Sequence, residues 1–486
     1  MKVKINVNNG SISAARVAAA CGGRLIGDGS AEIGFVCTDS REVSPGTMFA
    51  AIVGERVDGH DYIGAAVVSG AATVLAERIP DGAELPVPVI LLTDGTVPAL
   101  SRLAGSFSDA VRARRVAVTG SVGKTTTKEF ISSVLSTAGK VYRTEGNRNS
   151  VIGMPLSMLE VGDDADYAVF EMGMSGFGEI ESMSLAARPD IAVITNIGSS
   201  HLEYLGTREN IAKAKLEIRA GLAKNGMLLL NGDEPLLAGI RATDQRAVYF
   251  SASGRSDADY ALVGLRDGAD GCVCDIRTPT GVMKDVKIPV HGAHNAQAAL
   301  IAAAVGTVCG ISEADIRRGI AGFRPVAMRQ NFVSAGGLNL IEDCYNASPE
   351  SMRAAIDVLI PAAERAGGIP AAILGDMGEL GADSPAMHRE VGAYFAKKGG
   401  QFLIAYGPRS ADTARGAVDA GLSPDKIVRI PDITSPEAPA IAAEAALLTL
   451  GKNDVLLIKA SRAVRAELIV DALRGAEEKT TEQRQS

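Results

Sequence analysis

Residues 115–129, RVAVTGSVGKTTTKE, constrain this chain more than any other stretch. Val116, Ala117 and Val118 read as a short buried strand, a glycine turn follows, and a helix opens at Lys124 with Thr125, Thr126 and Thr127. Such a turn brings backbone N–H groups, a helix N-terminus and one ammonium to a single point, which is what a polyphosphate requires. Gly120 and Gly123 let the backbone approach the anion, because a Cβ there would hold it off. Lys124 is placed for the β/γ-phosphates, and the Thr125 hydroxyl for Mg²⁺. The general phosphate-loop pattern puts four residues between its glycines. Here there are two, so the pattern fits only in its second half. The stretch predicts a nucleoside triphosphate site and leaves open what that site drives.

With 486 residues the chain exceeds one ordinary core, so about two to four domains are expected. Its 47% hydrophobic and 22% charged residues are those of a soluble globular protein. A formal charge of −8 argues against a nucleic-acid or anionic-membrane partner, since both need a basic face. The start, MKVKINVNNG, has no apolar core of a signal peptide, and the longest apolar run, within 296–310, is shorter than the ~20 residues of a membrane span. The six cysteines are scattered except for Cys272 and Cys274, which an alternating strand would place on one face. No second ligand pair with zinc spacing follows them, so all six are expected to be reduced thiols and the compartment the cytoplasm.

Residues 1–95 alternate short apolar runs with polar, glycine-rich turns and read as a small α/β domain. Over 96–324, strand candidates at 116–118, 141–142, 167–171, 191–195 and 227–230 alternate with helical stretches, the pattern of a mostly parallel sheet covered on both faces. Residues 251–289 read as a β-rich excursion, and a helix resumes near 291. A break at FRPV (323–326) precedes a third α/β unit over 325–474, and the polar residues 475–486 read as a disordered tail.

In a parallel sheet, ligands sit at the carboxyl ends of the strands, and the chemistry-bearing residues fall there. Glu171 closes YAVFE, where it suits Mg²⁺ or an ordinary cap or ion pair. His201 follows the next strand and suits a metal or acid–base role. Lys213 and Lys215 lie on the following helix; a lysine there is usually solvated, but one facing a metal with a depressed pKa can take up CO₂ as a carbamate. His291, His294 and Asn295 suit either a purine or ribose contact or a helix cap. Arg329 could clamp a phosphate, while Asp343, Tyr345 and Asn346 resemble an adenosine-facing loop.

The order of TGSVGKTTTKE, TEGNRNSVIG, EMGMSGFGEI, TNIGSSHLEYLG, KAKLEI, HGAHNAQAALIAAA, MRQ, YNASPESM, GDMGELG and KASR closely resembles the Mur ligases over nearly the whole chain. The shortened phosphate loop is shared with folylpolyglutamate synthetases. EMGMSGFGEI, YNASPESM and GDMGELG are more specific to the type that adds D-alanyl-D-alanine to UDP-N-acetylmuramoyl-tripeptide in peptidoglycan synthesis. The resemblance implies a UDP-sugar-binding N-terminal domain, a central parallel-sheet ATPase domain and a C-terminal Rossmann-like domain.

By the same resemblance, ATP is held by Thr119, Gly120, Ser121, Val122, Gly123, Lys124, Thr125 and Thr126, and by Asn295, Arg329, Asp343 and Asn346. Ser40, Arg41, Asn147 and Asn149 are implied for the UDP substrate. Lys124, Glu171, His201 and Lys215 carry the chemistry, with Thr125, Glu171, His201 and a carbamoylated Lys215 around Mg²⁺. A monomer with small-molecule substrates is expected. The neighbouring readings are the diamino-acid-adding step, a folylpolyglutamate-like synthetase and a nucleotide-switched binding protein. Ser348, Ser200 and Met328 depart from the resembled pattern, which has a second Asn, a small apolar residue and a glycine at these places.

Overall fold

The computed structural model describes residues 1–6, 10–80, 85–108 and 111–485. Three principal sheets follow one another along the chain. The first has six strands, with four parallel members, Phe35–Cys37, Thr47–Ala50, Ala71–Ala76 and Val89–Leu91, and antiparallel edges from Lys2–Lys4 and Arg24–Ile26. The third also has six strands: Leu338–Asp343, Val455–Lys459, Pro370–Gly375, Phe402–Tyr406 and Ile427–Ile430 run parallel, and Asn331–Ala335 is paired antiparallel at one edge.

The central sheet has nine strands and is built around Arg114–Thr119, which lies between Tyr167–Glu171 and Ile191–Ile194. Strand side chains alternate faces, and both faces of this strand are covered. Val116 and Val118 pack with Phe130 and Ile131, while Ala117 joins the core on the opposite face with Met154 and Met183. This explains an apolar run without polar alternation. Parallel pairing continues through Met227–Asn231 and Ala247–Ser251 to Tyr260–Asp267. The expected β-rich excursion then extends the same sheet antiparallel, as Cys272–Thr278 and Gly281–Ile288.

The helix Ala293–Val308 is buried along most of its length, as an apolar, alanine-rich helix must be. It packs against Lys124–Leu135, the helix that follows the phosphate loop. The Phe130 and Phe323 rings stack 3.7 Å apart, joining that helix to the start of the passage into the third sheet. Thr96–Ser108 packs on Ala14–Cys21 as well as on Gly153–Leu159 and Glu179–Ala187, so the first two sheets share a core.

One expectation is corrected. The segment from Gly475, expected to be a disordered tail, continues the helix Glu467–Gln485. Ile469, Val470 and Leu473 anchor its first turns in the core, and a helix extends at little cost once it is nucleated. No helix among the described residues is long and apolar enough to cross a membrane.

Candidate active site at the meeting of the central and third sheets

The loop after Arg114–Thr119 owes its shape to two glycines. Gly120 has φ 151°, and a Cβ on it would lie 1.9 Å from Thr195 Oγ1; Gly123 has φ 78° and caps the helix Lys124–Leu135 without a side-chain bond. The helix therefore opens with free N–H groups directed at the loop. The neighbouring strand end holds the loop from below. Asn196 Oδ1 accepts from Ser121 N (3.1 Å) and Val122 N (3.0 Å), and Thr195 Oγ1 donates to the Val122 carbonyl (2.7 Å). Thr119 Oγ1 donates to the Met172 carbonyl and so joins the loop strand to its other neighbour.

Lys124 curls back over the loop, its Nζ donating to the Gly120 carbonyl at 2.7 Å. Burial holds its ammonium below the ordinary lysine range, while Glu171 opposes that shift. Glu171, 3% exposed, lies at the centre of the site. Its Oε2 accepts from Thr125 Oγ1 (2.9 Å), its Oε1 from Asn149 Nδ2 (2.9 Å), and the buried Lys128 ammonium stands 3.6 Å away. Lys128 is a residue that sequence reasoning missed. Its spacing from Lys124 marks it as the same helix face, but only packing shows that it faces Glu171 and donates to the Thr144 carbonyl. Glu171→Gln would keep the shape but remove the charge facing Lys128. It is expected to lower the unfolding free energy by about 1–3 kcal/mol, read as a shift of the urea midpoint.

The third sheet closes the site. A cavity of about 220 Å³ is lined by loop residues 121–127 and by Asn147, Asn149 and Glu171 on one side, and by Arg329, Gln330, Asp343, Tyr345, Asn346 and Lys459 on the other. The Arg329 guanidinium lies over the Tyr345 ring, 4.2 Å from its centroid. Met328 and Gln330, on either side of it, take positive φ of 59° and 53°; left-handed backbone at non-glycine residues costs about 1–2 kcal/mol each and fixes the direction of the arginine between them. Lys459, also missed from the sequence, is buried and donates to Asp343 Oδ2 (2.7 Å) and to the Asn346 carbonyl (3.0 Å), holding two predicted nucleotide residues in place.

His294 and Asn295 line the same cavity, and Gln330 Oε1 joins them by hydrogen bonds to both. Asn295 also donates to the His291 carbonyl (2.7 Å), and neither side chain caps the helix, whose N-cap is Gly292. Ser348 lines the cavity and is the N-cap of Pro349–Ala366, with a reciprocal capping box to Ser351, so its hydroxyl serves the helix.

Four predicted residues outside the loop do not line this cavity. His201, at φ 67°, places Nδ1 2.6 Å from Glu379 Oε2 of the third sheet's loop, and the imidazole holds that carboxyl below the usual range. It does not line the cavity. Lys215 is 1% exposed on Arg208–Leu216, with burial first and Lys124 second holding its ammonium well below the lysine range. Ser40 and Arg41 form a short turn in the first domain, where Arg41, 86% exposed, closes a bidentate pair with Asp39. Asn147 and Asn149, implied for the same substrate, line the cavity beside the loop.

Comparison with known proteins agrees with this arrangement. Three family models match in succession: "Mur ligase family, catalytic domain" over residues 32–90, "Mur ligase middle domain" over 118–306, and "Mur ligase, glutamate ligase domain" over 328–462. The UDP-N-acetylmuramoyl-tripeptide–D-alanyl-D-alanine ligase of Bacillus subtilis is 38% identical over 90% of this chain and 92% of its own length; that of Escherichia coli is 34% identical over 90% and 93%. Among solved structures, MurF from Acinetobacter baumannii superposes with a TM-score of 0.85 at 30% identity, over 95% of this chain and 99% of that one. MurF from Thermotoga maritima, in complex with ADP, gives 0.79 at 28% identity, over 92% and 98%. By its sequence, its three sheets and the loop at their centre, this chain belongs to the Mur ligase family.

Proposed function

We propose that this protein joins the terminal carboxylate of UDP-N-acetylmuramoyl-tripeptide to the amine of D-alanyl-D-alanine, with ATP converted to ADP and phosphate. The observation that carries this reading is the two-sided cavity, with Lys124, Thr125 and Glu171 facing Arg329, Asp343 and Lys459. The names of its relatives supply the substrate class.

A carboxylate is a poor electrophile, so it must first be activated. The tripeptide carboxylate attacks the γ-phosphorus and ADP leaves, giving an acyl phosphate. Lys124 and the amides of residues 120–126 offset the charge that builds on the transferred group. The dipeptide amine then attacks the acyl carbon, and phosphate leaves from a tetrahedral intermediate. An α-amine has a pKa of about 7.7–8.0, so much of it is already neutral and no strong base is demanded. Residues from two sheets hold the two ends of the nucleotide, so closure of the third unit over the second aligns the reactants.

The oxygen donors support Mg²⁺: Thr125 Oγ1 and Glu171 Oε2 converge to 2.9 Å, the hard ligand set this ion prefers. Thr125 and Glu171 would hold it, and when bound it supplies charge to neutralise the phosphates. Lys215 suits carbamoylation, since its buried side chain has no hydrogen-bond or ion-pair partner among the described residues, so its amine is free to take CO₂. We infer that the chain acts as a monomer in the cytoplasm.

Phosphate release measured over the four combinations of the sugar nucleotide and dipeptide tests the reading. Release is expected only with both present. Release with the nucleotide and a single diamino acid, and none with the dipeptide, would assign another step of the family. Absence of amide product from every combination would favour a nucleotide-switched binding protein.

A further inference from the structure

Outside the nucleotide cavity, three side chains of metal-ligating type meet where the antiparallel extension of the central sheet turns back. Asp267 ends the strand Tyr260–Asp267, and Cys272, its direct cross-strand partner, opens Cys272–Thr278. His291 lies between Gly281–Ile288 and the helix Ala293–Val308. The Cys272 thiol donates to Asp267 Oδ1 at 3.2 Å, His291 Nδ1 stands 3.9 Å from that same oxygen, and the three donor atoms all lie within 4.8 Å of one another. His291 Nδ1 is buried and has no hydrogen-bond partner. Cys272 is 2% exposed, whereas Asp267 is half exposed and opens the cluster to solvent.

We propose that Asp267, Cys272 and His291 bind one divalent cation of the zinc class, tying the hairpin to the helix that carries Asn295. At ordinary zinc bond lengths, ligand atoms on a tetrahedron stand roughly 3.3–3.6 Å apart, so the spacings here need only small rotamer adjustments. Thiolate, imidazole and carboxylate together select zinc over magnesium, and three protein ligands leave the fourth position to water. Coordination exchanges the thiol proton for the metal: the S–H bond breaks, S–Zn forms, the proton passes to solvent, and no electron moves. Asp270 and Arg365 also act electrostatically on the imidazole, so a modest affinity is consistent with the mixed charge. The connection to the nucleotide site is short, because the His291 carbonyl accepts from Asn295 Nδ2. From sequence the cluster is invisible as a motif: the ligands are separated by five and nineteen positions, and only the hairpin register joins them.

The test is a Co²⁺ titration of the chelator-treated full-length protein, with excess Mg²⁺ present and nucleotide absent. One equivalent is expected to give a thiolate-to-cobalt charge-transfer band in the near ultraviolet and the visible bands of four-coordinate cobalt, both removed by Zn²⁺. Cys272→Ser should abolish the charge-transfer band. His291→Gln and Asp267→Asn should weaken binding at least about tenfold, the scale on which even outer partners of a metal ligand matter. Cys274→Ser, which changes the other buried thiol of the same strand, should leave the spectrum unchanged. Asp267 is exposed, so its variant keeps the test decisive if a change at Cys272 disturbs the core; circular dichroism checks both. A wild-type protein without the charge-transfer band, a band that survives in Cys272→Ser, or an unchanged affinity in Asp267→Asn overturns the proposal.

Discussion

Replacing Lys124 by alanine is expected to lower amide product formation by about 10²–10³-fold while leaving the fold intact, the cost of losing one preorganised charge beside a reacting phosphoryl group. Lys124 is surrounded by the loop that it serves. Its Nζ rests on the Gly120 carbonyl, a weak neutral partner that phosphate oxygens can displace. Burial both depresses its ammonium and strengthens whatever charge interaction it makes, since the same pair of charges attracts several times more strongly away from bulk water. Steady-state phosphate release and mass detection of the amide product measure the loss. Turnover close to wild type would remove the loop from the chemistry.

Removing the Lys215 amine has the second largest expected effect. Lys215→Ala should lose about 10²-fold in turnover, and bicarbonate should not restore it. Wild type prepared without CO₂ should be slow and should recover when bicarbonate is added. The chemistry is that of a neutral amine attacking CO₂, with release of one proton, and the new carboxylate would face the Lys124 ammonium. Burial first, and Lys124 second, hold the Lys215 ammonium well below the usual lysine range, which favours the neutral amine.

The same shift has a stability consequence. The unfolded chain binds this proton up to a pKa of about 10.4, and the folded chain gives it up at lower pH. Between these two values the unfolded state holds more protons, so stability rises with pH across that window. Lys215→Met cannot take up the proton and should flatten that slope in urea midpoints measured against pH. If Lys215→Ala matches wild type without CO₂, the carbamate has no role.

Much of the site was legible because it is local. Residues 119–126 are contiguous, and their geometry follows from two glycines, a strand and a helix start, all short-range consequences of the residues themselves. Glu171 and Asn295 were legible from their positions beside strand and helix ends. Ser348 read as a departure in a nucleotide motif, and its hydroxyl is spent on capping a helix. His201 read as a metal or acid–base residue, and the structure pairs it with Glu379 from a loop that is distant in sequence. The polar end of the chain, read as a tail, continues a helix whose first turns are buried.

By itself, the amino-acid order determined the glycine turn between strand and helix, the parallel α/β class and the family. Local backbone geometry and hydrophobic periodicity are written in neighbouring residues. Only the tertiary structure decided that Lys128 faces Glu171, that Lys459 holds Asp343 and Asn346, and that Cys272 meets Asp267 and His291. Those partners are joined across sheets and strand registers. A buried charge reveals its partner only after packing has removed the water around both.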